Sequence, residues 1–192
     1  MPDYKAPLRD MQFVLHEVFE AEALWQGMPE TAEVNRELAD AILDESAKIN
    51  ENLVAPLSQP GHEEGVHWDD GIVTTPKGYP EAFKQLAEGG WGGLSGPLEF
   101  GGQNMPKMLV LLFEEMLYSS NIAMGLYLTL TSGAALAIDS HASEELKEKY
   151  LPNMYSGKWA GAMCLTEAHA GTDLGMIRTK AEPNDDGSFN IT

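Results

Sequence analysis

Cysteine is almost absent from the sequence: Cys164 is the single one in 192 residues. That excludes an intrachain disulfide framework and an all-cysteine zinc site, and it fits a reducing compartment. Basic residues are also scarce. Lys and Arg total 12 against 30 Asp and Glu, a formal net charge of −18, whereas a chain that binds phosphate backbones needs clustered cations to displace counterions. Nucleic acid is therefore not an expected partner. A long uninterrupted apolar run is missing too. The most apolar stretch, residues 108–137, carries Glu114, Glu115, Ser119, Ser120 and Asn121 near its middle, and a lipid span needs roughly 20 residues nearly free of charge. The expectation is a buried helix rather than a membrane span. The opening residues, with Asp3, Lys5, Arg9 and Asp10, lead into no apolar segment of secretory type.

What is present is enough for an ordinary core, with 43% hydrophobic and 22% charged residues, and a length that allows one domain plus part of another. Asp10 is placed to cap a helix in which Met11, Val14, Leu15, Val18 and Phe19 recur at spacings of three and four, continued by Leu24 and Trp25. After a break at Gly27, Met28 and Pro29, the positions Val34, Leu38, Ala41, Ile42 and Ile49 predict a second amphipathic helix. Residues 56–79 are dense in Pro and Gly and predict one long irregular connection, able to shape a ligand entrance or to serve as a mobile linker. Pro80 then opens a short helix that Gly89 and Gly90 end.

The glycines at 90, 92, 93, 96, 101 and 102 permit close backbone approach, but they form neither a phosphate loop nor a dinucleotide fingerprint. Pro106 starts a long apolar helix reaching Leu130, of the kind that belongs in the middle of a bundle. Ser143 opens a charged helix that stops at Leu151 and Pro152. Beyond Gly157 the period changes. Residues 159–166 read as a buried strand; Ile177, Thr179 and Ala181 alternate with Arg178, Lys180 and Glu182 up to a turn at 183–187; and 188–192 reads as the returning strand. Two or three strands do not make an independent sheet. The expectation is a mainly α chain: a helical domain followed by the first strands of a truncated β-domain.

The stretch from Met163 to Gly175 carries the chemistry. A strand that ends in Thr166 and Glu167 and enters a loop of small residues exposes backbone N–H groups and two hydroxyls, which can hold the polar edge of a heterocycle or a diphosphate. A plainer use is a capped turn in which Thr172 or Asp173 satisfies nearby backbone groups. Other candidates are weaker. His62, Glu63, Glu64, His67, Asp69 and Asp70 lack the His-Glu-x-x-His spacing and read as a solvated acidic loop before a metal site. His16 and His141 stand alone in helical surroundings, and Cys164 has no base beside it to make it a nucleophile.

Cys164, Thr166, Glu167, Ala170, Gly171, Thr172 and Asp173 reproduce the form Cys-x-Thr-Glu-x-x-Ala-Gly-Ser-Asp, with threonine in the serine position. In these residues the chain resembles the flavin-dependent acyl-CoA dehydrogenases. The resemblance extends back through Gly90-Trp91-Gly92-Gly93-Leu94, residues 97–103 and the long central helix, and the opening from Tyr4 to Met11 looks like the extension of a larger subgroup that includes 3-methylmercaptopropionyl-CoA dehydrogenases. It implies an N-terminal extension helix over 1–35, a helical N-terminal domain over 36–157 with the long loop 56–79, and the start of a middle β-domain over 158–192.

The resemblance also implies FAD as cofactor. The backbone near Met163, Leu165 and Thr166, with the Thr166 hydroxyl, would meet the isoalloxazine, and Gly171 and Thr172 would lie near the pyrophosphate. The Thr172 position would also touch the pantetheine of the acyl-CoA substrate. Thr172 keeps the hydroxyl of the usual serine, while His169 and Met163 replace a commoner small residue and a commoner aromatic. The implied reaction removes the acyl α-proton with a carboxylate and the β-hydrogen as hydride to the flavin, giving a trans-2-enoyl-CoA. The base is expected beyond Thr192, so no catalytic residue is assigned within the chain, and Glu167 reads as loop architecture or entrance polarity. No metal is implied. Expected partners are an acyl-CoA, an electron-transfer flavoprotein and further copies of the chain in a cytoplasmic homo-oligomer; the resemblance leaves open an acyl-CoA oxidase and a noncatalytic flavin-binding interaction protein.

Overall fold

Helix α1 (Leu8–Phe13) begins before its expected cap: Pro7 precedes it and Asp10 lies within its first turn, where a carboxylate suits the helix dipole. The computed structural model describes residues 3–192; Met1 and Pro2, the first positions of the expected extension helix, lie outside the described residues. The chain divides into two compact units, Met1–Ala162 and Met163–Thr192. In the first, α1 runs directly into a π-helical turn at Val14–Val18. That wider turn departs from the 3.6-residue period, so Met11 and Leu15 are buried while Val14, Val18 and Phe19 face outward. Glu20 then takes a left-handed backbone, φ 46°, and starts α2 (Ala21–Gln26), which buries Ala21 and Trp25.

Helix α3 (Arg36–Ile49) is capped by Asn35, whose side chain accepts the Leu38 N–H at 2.9 Å. Its buried face is Ala39, Leu43, Ser46 and Ala47, rotated by about one position from the expected Leu38, Ala41 and Ile42. Small side chains on that face let α3 lie against α6 (Lys107–Ser120), and Leu38 is left exposed.

Residues 56–79 are not the long irregular loop that their Pro and Gly content suggests. They hold a 3-10 turn (Ala55–Leu57), helix α4 (Ser58–Glu64), and an antiparallel hairpin of β1 (His67–Asp69) and β2 (Ile72–Thr74), registered with Trp68 opposite Val73. Pro60 sits in the first turn of α4, where no N–H is required. Gly61 is needed there because a Cβ would meet the Tyr79 ring at 2.5 Å. The hairpin turns on Asp70 and Gly71, both at positive φ (44° and 84°), as a two-residue loop demands. Helix α5 (Tyr79–Glu88) follows, with Pro80 in its first turn.

The long apolar helix is two helices. Asn121 leaves the helical backbone between α6 and α7 (Ile122–His141) and caps α7 by accepting the Met124 N–H at 3.2 Å. The pair lies against a core in which Trp91 stacks on Phe113 at 4.8 Å, with Leu86, Leu117 and Met124 around them. α7 is long and apolar enough to cross a bilayer by length and composition, yet it is not surrounded as a central bundle helix would be: Met124, Gly125, Leu128 and Ala135 are buried, whereas Ile122, Leu126, Tyr127 and Leu136 are exposed. Helix α8 (Glu144–Tyr155) passes through Pro152 instead of stopping there. Burial of Leu151, Met154 and Tyr155 with Phe100 and Ala135 holds its last turn in place.

Residues 159–166, expected as a buried strand, carry no regular structure and are mostly exposed. Among the described residues no strand pairs with them, and an unpaired strand has no ladder to stabilise it. In the second unit β3 (Ala181–Pro183) and β4 (Phe189–Ile191) form an antiparallel hairpin with Glu182 opposite Asn190. The turn between them closes through Asn184 N–H to the Ser188 carbonyl at 2.8 Å, with Gly187 at φ 82°.

Candidate functional site

The second unit opens on Met163, Cys164, Leu165 and Thr166, all exposed. Among the described residues, the N–H groups of Met163, Leu165 and Thr166 and the Thr166 hydroxyl have no hydrogen-bond partner. The run is therefore a row of free donors on an accessible edge.

A closed loop follows. Glu167 and Ala170 exchange backbone hydrogen bonds at 3.0 and 3.2 Å, a tight turn that buries Ala170. The Glu167 carboxylate reaches across to the far end of the loop, where it accepts the Arg178 N–H at 3.0 and 3.2 Å and the Thr179 N–H at 2.9 Å. His169 Nε2 lies 3.0 Å from the Met176 carbonyl and 3.2 Å from the same carboxylate. Asp173 accepts the Gly175 N–H at 3.1 Å, which is the capped-turn role expected of it. Gly171 has open space where a Cβ would stand, and Thr172 is exposed.

Hydrogen bonds from the Thr179 hydroxyl and N–H, then from the Arg178 N–H, stabilise the ionised form of Glu167 and hold it at about 2, below its ordinary 4.5. Because the folded value is depressed, the clasp is fully present above about 4.5 and is lost as pH falls toward 2. The amide NMR shifts of Arg178 and Thr179 are expected to titrate together with a midpoint at about 2; a midpoint at the ordinary value would show that the carboxylate does not hold them.

Of the residues marked by the sequence, Met163, Leu165 and Thr166 lie on the donor run, and Gly171 and Thr172 on the open side of the clasped loop. The clasp itself was not legible, because its partners are backbone groups 11 and 12 positions away. His16 proves structural, its buried ring 2.8 Å from Asp40. Glu64 accepts the Lys77 N–H at 3.1 Å, and among the described residues no group of His, Cys, Asp and Glu assembles to hold a metal. The first unit also contains an apolar cleft of about 670 Å³ between α4, the β1–β2 hairpin and the start of α7, lined by Val66, Val73, Pro76, Ile122 and Tyr127. Within it the Asn121 amide and the Tyr79 hydroxyl meet at 3.1 Å.

A helical domain is thus followed by a β-unit whose exposed first residues lead into a clasped loop. Residues 39–158 match the acyl-CoA dehydrogenase N-terminal domain. The chain is 35% identical over 189 residues to a 3-methylmercaptopropionyl-CoA dehydrogenase of Ruegeria pomeroyi, covering 98% of this chain and 32% of that protein. It is 30% identical over 190 residues to a butyryl-CoA dehydrogenase of Syntrophomonas wolfei, covering 95% and 30%. Among solved structures, butyryl-CoA dehydrogenase of Megasphaera elsdenii superposes with a TM-score of 0.66 at 25% identity, over 80% of this chain and 38% of that one. The chain belongs to the acyl-CoA dehydrogenase family. It spans about a third of the length of the curated relatives it matches.

Proposed function

We propose that the chain forms the front part of an FAD-dependent acyl-CoA dehydrogenase that converts an acyl-CoA thioester to a trans-2-enoyl-CoA, with 3-methylmercaptopropionyl-CoA as substrate and an electron-transfer flavoprotein as acceptor. The observation that carries this reading is the row of free donors at Met163, Leu165 and Thr166, continued by the clasped loop that leaves Gly171 and Thr172 open. These residues suit a flavin: a flat heterocycle with acceptors along one edge takes unpaired N–H groups and a hydroxyl, and a diphosphate needs backbone that no side chain covers. FAD, when bound, supplies the hydride acceptor that no protein side chain offers.

In this reading the Met163, Leu165 and Thr166 backbone and the Thr166 hydroxyl orient the isoalloxazine, Gly171 and Thr172 approach the pyrophosphate, and the Thr172 hydroxyl reaches the pantetheine. Glu167 is unsuited to remove the α-proton: both its oxygens are engaged by N–H groups, and a carboxylate held at about 2 is a weak base. These 192 residues, with a net charge of −18, offer CoA no general attraction, so its binding calls for local backbone donors or for cationic groups, including any beyond Thr192. The same reading makes the full protein a cytoplasmic homo-oligomer.

The test is the visible flavin spectrum of the full-length protein, recorded anaerobically before and after a panel of acyl-CoA thioesters. The expected result is loss of the band near about 450 nm, fastest with 3-methylmercaptopropionyl-CoA. Folded protein that takes up no FAD overturns the reading; a butyryl thioester that bleaches faster overturns the substrate.

A further inference from the structure

Resting on the flavin reading, we infer that Glu167 is a positioning residue, with His169 as its support: it fixes Gly171 and Thr172 relative to the donor run at Met163, Leu165 and Thr166. The loop from 167 to 179 contains no regular strand, and its one helical piece is a 3-10 turn at Leu174–Met176. Such a loop has no ladder to define it. What closes it is a single carboxylate, which lies next to Thr166 in the chain and accepts the N–H groups of Arg178 and Thr179 at the other end. Charge-assisted bonds to two successive amides set both distance and direction.

His169 completes the closure. Its Nε2 faces two acceptors, the Met176 carbonyl at 3.0 Å and Glu167 Oε2 at 3.2 Å, so this nitrogen carries the proton and ties the near arm of the loop to the far one. Gly171 and Thr172 occupy the short stretch between this tie and the Asp173 turn. Their position therefore follows from the clasp, and Glu167 acts on the cofactor through them without touching it. His169, standing where a small residue is commoner, supplies a second strut.

The test compares full-length wild type with E167A, E167Q and H169A, by FAD dissociation constant and by the visible circular dichroism of the bound flavin. E167A is expected to weaken FAD about tenfold or more and to move the flavin signal toward that of free FAD. E167Q keeps one oxygen able to accept both amides but sets its NH2 against the His169 N–H, so it is expected to fall between wild type and E167A, as is H169A. Partial rescue by E167Q and the altered flavin signal separate positioning from a general loss of stability. The inference is overturned if E167A binds FAD as wild type does with an unchanged signal, or if E167Q is as impaired as E167A. Wild-type protein without FAD sinks the parent reading and this inference with it, whereas wild type with FAD beside an indifferent E167A sinks this one alone.

Discussion

Replacing Gly102 by alanine is expected to destabilise the first unit by more than about 3 kcal/mol, beyond the ordinary cost of overpacking. A Cβ there would stand 2.1 Å from the Gly96 carbonyl oxygen and 2.5 Å from the Gly96 Cα. Those atoms are backbone, so no side chain can swing aside. Separating the two segments would break the bonds that hold them, Gln103 N–H to the Gly93 carbonyl at 2.9 Å, Asn104 N–H to Gly96 at 2.9 Å and Met105 N–H to Leu94 at 2.7 Å. Gly101 supplies the control. It has φ 86° and nothing within 4 Å of its Cβ position, so G101A should cost only about 1 kcal/mol of backbone strain. Urea unfolding followed by far-ultraviolet circular dichroism measures both; equal costs would refute the close-approach explanation.

Trp25→Ala is expected to cost about 3–5 kcal/mol, the range for emptying a large aromatic site in a packed core. Trp25 is 0% exposed and packs in a cluster with Met11, Leu15, Leu43, Leu109 and Met116, which joins the opening helices to α3 and α6. Its indole N–H has no partner in the structure. Trp25→Phe therefore removes an unsatisfied donor as well as ring volume, and should cost about half as much or less. If W25A leaves the urea midpoint unmoved, the opening helices do not unfold cooperatively with the core.

Family membership and the helical architecture were readable from particular residues. Met163, Leu165, Thr166, Gly171 and Thr172 lie within ten successive positions, on the exposed run and the clasped loop that follows it. Other features resisted because periodicity counts apolar residues, while packing here selects small and polar ones. The buried face of α3 contains Ser46, and beyond its end Asn50 is buried, its amide bonded to the Ser46 carbonyl at 2.8 Å and its oxygen to the Ser120 hydroxyl at 3.0 Å. That pattern reads as solvent-facing in a sequence.

Composition misled at 56–79 for a related reason. Pro and Gly density signals irregularity, yet Pro60 is harmless in a first helical turn and Gly61 is a packing requirement. The Asp70–Gly71 pair, with Trp68 before it and Ile72 after, was a hairpin signal present in the residues. The break at Asn121 also had a sign, since asparagine favours the cap position, but the apolar residues on both sides of it masked the change of helix. The strand expected over 159–166 failed because alternation and apolarity describe a strand's own residues and say nothing about whether a neighbour is there to pair with it.

Cys164 is the single thiol of the chain, and it stands exposed among the free donors of the second unit. Reagents that modify thiols thus address one atom in these 192 residues, next to the segment proposed to meet the flavin. A maleimide-linked dye or spin label attached there reads the surroundings of Met163 and Leu165 with no change to these 192 residues, and the labelling rate of Cys164 is a direct gauge of whether that run is covered.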